Sequence, residues 1–251
     1  MKKHLSVLAL YLRSTAWRVL LLLFVMAAAE TALLWSNRCS YEDYSFLGSH
    51  LSCSGMEWVC FGFFAVLLTL LCLSGTSYGS QADYTLQRLS IKPQTAFLWQ
   101  SIVCCIWITA FWALQVVLLV VCSSHSLQQI PAGYKGPQTM LMCLYQWDFS
   151  ANLLPLGCVA KWLRNVLLVL ASGVSAAHFS WQQRMGHFDF AMILSALVCV
   201  FTFMNAQNRS VTLLGIIGAI AILFYVVIHI FKGEEDDVLE TIRQDTTAAA
   251  S

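Results

Sequence analysis

The chain has 251 residues, 59% of them hydrophobic and only 11% charged, with 14 Lys+Arg against 13 Asp+Glu and a formal net charge of +1. A soluble domain is roughly 45–50% apolar and about 25% charged, and a globule of this size cannot hide so large an apolar excess from water. These figures exclude disorder, a collagen-like repeat and a basic nucleic-acid-binding module. No nucleic acid is expected as a partner, and an integral membrane protein remains.

About 20 apolar residues in a helix cross a hydrocarbon core about 30 Å thick. Runs near that length lie at 15–35, 58–75, 97–122, 159–181, 188–206 and 211–231. They predict an all-α, polytopic protein with one six-helix domain over 1–231 and a short acidic tail over 232–251. The runs are continuous and lack the in/out alternation of barrel strands, so helices are expected. They contain five charged side chains, Arg18, Glu30, Lys161, Arg164 and Asp189. The first run is read as a span, not a cleaved signal peptide, because a long mixed stretch precedes Trp17 and apolar residues continue to Trp35. The fourth run leaves two readings open, a full span or an interfacial helix over 160–165.

Lys and Arg set the orientation. With the N-terminus inside, nine fall on the inner side (Lys2, Lys3, Arg13, Arg18, Arg88, Lys92, Arg184, Lys232, Arg243) and five outside (Arg38, Lys135, Lys161, Arg164, Arg209). Both termini are therefore expected in the cytoplasm. Trp17, Trp35, Trp58, Trp99 and Trp181 lie near span edges, where an indole is stable, while Trp107 and Trp112 read as packing residues.

Between the spans, the outer loop 36–57 carries Cys39 and Cys53, which either pair as a disulfide or stay as two thiols. The outer loop 123–158 contains the apolar stretch 140–147, too short for a seventh span and read as re-entrant or interfacial. Cys60, Cys72, Cys104, Cys105, Cys122 and Cys199 lie in or beside apolar spans, where free cysteine behaves as a small hydrophobe. The sequence contains no CxxC or Cys/His spacing for zinc, no HExxH, no GxSxG and no Walker A pattern. No enzyme activity, cofactor or metal is expected of it. His187 and Asp189, at i and i+2 on a helix, point apart.

Polar residues inside apolar spans are the better functional candidates. Glu30 either faces a translocation path or a partner subunit, or it reaches the outer interface or caps a neighbouring backbone. Gln100 and Gln115 in the third span suit interhelical hydrogen bonds. Lys161 and Arg164, at i and i+3, form a basic patch at the outer mouth of the fourth span, holding an anionic lipid or substrate group or contacting outer-leaflet phosphates. Gly215 and Gly218 suit close helix packing.

The six-span layout with both ends inside, and the stretch Tyr84-Thr85-Leu86-Gln87-Arg88-Leu89 followed by Ile91-Lys92-Pro93 and Phe97-Leu98-Trp99-Gln100, resemble the permease subunit of ABC-2 type ABC transporters. The resemblance implies that 76–96 couples to an ABC ATPase through Tyr84, Thr85, Leu86, Arg88 and Leu89. It also implies a second permease subunit, identical or different. The first, second and fifth spans would line the translocation path, placing Glu30, Thr69, Ser74 and Thr202 on it. The function implied is ATP-driven export of a hydrophobic or amphipathic substrate from the bacterial cytoplasmic membrane, with membrane lipids around the subunit. A non-transporting scaffold, sensor or immunity subunit is the alternative. The acidic tail either contacts the ATPase or is solvated.

Overall fold

In a computed structural model, the described residues are 2–36, 54–73, 93–128, 138–184, 189–204 and 209–249, and eight helices run through them. They are α1 (Lys2–Ser36), α2 (Met56–Leu73), α3 (Pro93–Gln128), α4 (Thr139–Gln146), α5 (Asp148–Leu153), α6 (Val159–Arg184), α7 (Ala191–Met204) and α8 (Arg209–Ala249). The all-helical expectation holds for these residues. Five stretches are long and apolar enough to cross a membrane: Tyr11–Ser36, Met56–Leu73, Gln94–Gln128, Val159–Gln183 and Arg209–Ile230. This is the architecture of a multi-pass membrane protein.

The run expected to span at 188–206 is the exception. Its helix, α7, has 14 residues, about 21 Å at about 1.5 Å per residue and short of a full hydrocarbon core. Side chains fix both of its ends. The Asp189 carboxylate accepts the Ala191 backbone N–H at 3.1 Å, a bond of the kind that starts a helix. At the far end, Asn152 Nδ2 donates to the carbonyls of Thr202 and Phe203 at 3.4 and 3.1 Å, taking up groups that a helix C-terminus leaves open.

Other boundaries also differ from the sequence reading. The fourth run is one unbroken helix, α6, with no separate interfacial piece over 160–165. Most of the stretch 140–147 lies in α4, which ends at Gln146 with Trp147 extended, and the next helix, α5, turns Phe149, Asn152 and Leu153 into the interior. Helix α8 continues without a break from the last span to Ala249, so the acidic segment extends a helix.

Contacts between helices fix their relative directions. Residues 97, 105 and 112 of α3 meet 181, 173 and 162 of α6, an antiparallel pair. Thr15 and Glu30 of α1 bond Trp107 and Gln115 of α3, so those two run the same way. Residues 215 and 218 of α8 meet 202 and 198 of α7, antiparallel again. Cys72, near the end of α2, touches Ala176 of α6 and Met192 at the start of α7. Thus α1, α3 and α7 point one way, and α2, α6 and α8 the other.

The core gathers Met26, Leu67, Leu68, Leu71 and Leu119 around the alanine face of α6. Helix α6 is central, packing on α2, α3, α7 and α8. Gly173 permits this: a Cβ there would sit 2.9 Å from the Cys105 backbone nitrogen. Small residues let helices approach where burying apolar surface gives no drive. The outward faces are apolar instead, with Phe24 76% and Phe224 64% exposed, as lipid-facing helices require.

Candidate functional site

Helix α6 is the least apolar of the five long stretches, and its polar side chains turn inward. Ser172, Ser175 and His178 recur at steps of three and meet α7 as a ladder. The Ser172 hydroxyl lies 3.4 Å from Cys199 Sγ, Ser175 lies 2.9 Å from the Ser195 hydroxyl, and His178 Nδ1 lies 2.5 Å from Asp189 Oδ2. All of these groups are buried, and buried polar atoms without water must find partners on neighbouring helices. Asp189 therefore pairs with His178, eleven residues back on another helix, across the α6–α7 connection. Gln182 Nε2 then bridges to His229 of α8 at 2.9 Å, and Tyr225 donates to Asp189 Oδ1 at 3.5 Å. Among the described residues no group of three or more His, Cys, Asp or Glu is arranged to hold a metal ion.

The opposite end of α6 holds Arg164, fully buried at 0% exposure. The expected basic patch is not formed: Lys161 is partly exposed while Arg164 turns into the bundle. Two asparagines draw it there. Arg164 Nε and Nη2 donate to Asn165 Oδ1 at 3.1 and 2.9 Å, and Nη1 donates to Asn152 Oδ1 at 3.3 Å. Nη2 also reaches the Asn152 carbonyl at 3.5 Å and Asn152 Oδ1 at 3.4 Å. Asn165 Nδ2 donates to that same carbonyl at 2.8 Å. The guanidinium lies 5.4 Å from the centre of the Phe203 ring, a cation–π distance. His178 Nδ1 and Asp189 Oδ2 approach within 4.0 Å, whereas the polar contacts of Arg164 among the described residues are to Asn152 and Asn165.

A cavity of about 60 Å³ adjoins this cluster, walled by α2, α3, α5, α6 and α7. Its surface is almost wholly apolar and includes Phe61, Phe111, Phe149 and Phe203. Asn165 and Phe203 face the cavity as well as touching Arg164. Gln115 closes another part of the wall, and its Nε2 donates to Glu30 Oε2 at 3.2 Å.

The remaining candidates lie apart. Glu30 is buried between α1 and α3, not at an outer interface. Thr69 is exposed on α2, with its hydroxyl donating back to Ala65 and Val66. Thr202 is buried against Gly215, its hydroxyl donating to Val198 at 2.5 Å. Glu30, Thr69 and Thr202 thus do not share one surface. Ser74, Tyr84, Thr85, Leu86, Arg88, Leu89, Cys39 and Cys53 lie outside the described residues.

Sequence reasoning did not single out Asn152, Asn165, His178 or the serine ladder. The signal was present as polar residues at steps of three in an otherwise apolar run. Comparison with family models, with curated proteins and with solved structures finds no match to this chain.

Proposed function

We propose that the chain is the transmembrane subunit of an ATP-driven exporter of ABC-2 type, embedded in the bacterial cytoplasmic membrane with six crossings. It works with a separate ABC ATPase and a second permease subunit, and moves a hydrophobic or amphipathic cargo. The observation that carries this reading is the aromatic-walled cavity inside the bundle, set beside a buried cation. Ligand sites of membrane-active proteins are concave, mostly apolar and fitted with a few polar groups, and ionisable residues within a bundle mark substrate pathways by default. The alternating helix directions support six crossings, because α7 runs antiparallel to α6 from the His178 end to the Arg164 end. The stretch from Tyr84 to Leu89 supports the ATPase partner through its resemblance to the family's coupling segment.

The test is affinity purification of the tagged chain from its native membrane, followed by ATPase assay. A Walker-A-bearing ATPase should co-purify, and its stimulation by the membrane subunit should fall about tenfold or more in Arg88→Ala, Leu89→Asp or both, as for loss of buried contacts worth about 1–3 kcal/mol. Purification with no ATPase, or with one indifferent to both substitutions, rules the reading out.

A further inference from the structure

The buried guanidinium and the adjoining cavity form one site, and we propose that it binds a single-chain amphiphile with an anionic head, a carboxylate foremost. The head would lie on the edge of Arg164 and the aliphatic chain in the cavity. This names the cargo class and rests on the exporter reading only in calling the ligand cargo; binding itself needs no ATPase.

Charge is the first reason. A cation held away from water is expensive unless it is paired. Among the described residues the acceptors around Arg164 are amide oxygens of Asn152 and Asn165, which solvate a guanidinium without neutralising it.

Geometry is the second. Asn165 Oδ1 receives both the Nε–H and the Nη2–H of Arg164, at 3.1 and 2.9 Å. That edge is one a carboxylate grips with two oxygens in parallel, giving each N–H its own charged acceptor. One amide oxygen now occupies a position shaped for two carboxylate oxygens.

Continuity is the third. Asn165 belongs to the cavity wall and bonds Arg164, so rotation of this one side chain would open the guanidinium toward the cavity. The rotation breaks the 2.8 Å bond from Asn165 to the Asn152 carbonyl and the two bonds that Asn165 Oδ1 receives from Arg164, which the carboxylate oxygens replace. Charge-assisted bonds to an incoming carboxylate, about twice as strong as neutral ones, offset that loss.

The cavity suits the chain. A water molecule needs about 10–15 Å³ of such space, so about 60 Å³ admits the first few methylenes. The cavity is partly open, which lets a longer chain continue outward toward the lipid. Its phenylalanine walls offer nothing to a polar chain and favour an aliphatic one.

The experiment uses the full chain in nanodiscs of zwitterionic phosphatidylcholine, photolabelled with a diazirine-bearing octanoate and mapped by peptide mass spectrometry. Adducts are expected on wall residues such as Phe61, Phe111 and Phe203. Octanoate should compete at least about tenfold better than octanol, since octanol lacks the charge-assisted bonds. Arg164→Gln should abolish that preference, and Arg164→Lys, which keeps the charge but not the fork, should retain part of it. Val169→Phe, which fills the cavity, should reduce labelling while Arg164 stays intact. If Arg164→Gln fails to fold, the other two variants decide. Adding phosphatidylglycerol tests the chain number: persistence of the probe upholds the single-chain carboxylate, and displacement gives the site to a two-chain lipid phosphate and overturns that assignment. Equal competition by octanol and octanoate overturns the proposal. So does labelling confined to outward residues such as Phe24 and Phe224 and unchanged by Arg164→Lys and Val169→Phe. Failure of an ATPase to co-purify leaves this result untouched, so the two readings fail separately.

Discussion

Three residues apart on a helix, Lys161 and Arg164 project to the same side in any sequence diagram. In the structure their environments separate them. Lys161 stays near the surface, while Asn152 and Asn165 supply oxygen acceptors that hold Arg164 inside. Asn152 comes from α5, a helix of six residues that apolar periodicity is too short to reveal. The same applies to Asp189, whose partner His178 is legible only once α6 and α7 are known to pack side by side. His178→Ala would leave the Asp189 carboxylate buried without its imidazole, a loss of about 1–3 kcal/mol for a buried group short of a partner. Denaturant unfolding in detergent measures it, and a loss below about 1 kcal/mol, the scale of an exposed pair, would show that the pair does not hold α7. Cys158, just before α6, offers a second prediction outside the spans. The Lys161 backbone N–H beside its sulfur holds the thiol below its usual range. A lowered thiol pKa means that thiolate persists to lower pH. The maleimide reaction at Cys158, followed on its peptide by mass spectrometry, should therefore have its midpoint at lower pH than that of free cysteine. A midpoint at or above the free value would contradict the assignment.

At the scale of helices, the apolar runs predicted six spans, and five of them are helices long and apolar enough to cross a membrane, because length and apolarity need no tertiary information. Where a helix stops is less legible. The ends of α7 are set by Asp189 and by Asn152, and the second of these lies 50 residues away from Thr202 in the chain. How closely helices approach is read from small residues, and here two glycines give opposite expectations. Gly173 faces the Cys105 backbone, so a Cβ would meet that nitrogen at 2.9 Å and the α3–α6 pair would have to part. Gly62 on α2 has nothing within 4 Å of its Cβ position. Gly173→Ala should destabilise by about 1–3 kcal/mol through overpacking. Gly62→Ala should be neutral or stabilising by up to about 1 kcal/mol through helix propensity. Thermal unfolding of the two variants side by side checks this, and a Gly173→Ala melt no lower than that of Gly62→Ala would mean that the two helices are not held at that distance.

At the scale of the whole molecule, the number of crossings decides where the two ends lie. Five crossings place the termini on opposite sides of the membrane, and six place them on the same side. Length alone favours five, since α7 falls short of a hydrocarbon core by about 9 Å at about 1.5 Å per residue. Packing favours six. Helix α7 starts beside His178, near one end of α6, and finishes beside Asn152 and Gly215, at the Arg164 end. On the six-crossing proposal α7, laid along α6, crosses with it, and its Ser195 and Thr202 side chains are buried inside the bundle. Local thinning of the bilayer would accommodate the short helix at a cost of fractions of a kcal/mol per Å. Reporters fused ahead of Met1 and after Ser251 should therefore both report the cytoplasm, and an impermeant maleimide should reach Cys158 from outside. Reporters on opposite sides would confine α7 to one half of the membrane. The serine ladder of α6 would then need water where the structure gives it Cys199 and Ser195. Both reporters outside would keep six crossings and reverse the orientation that nine inner against five outer basic residues imply.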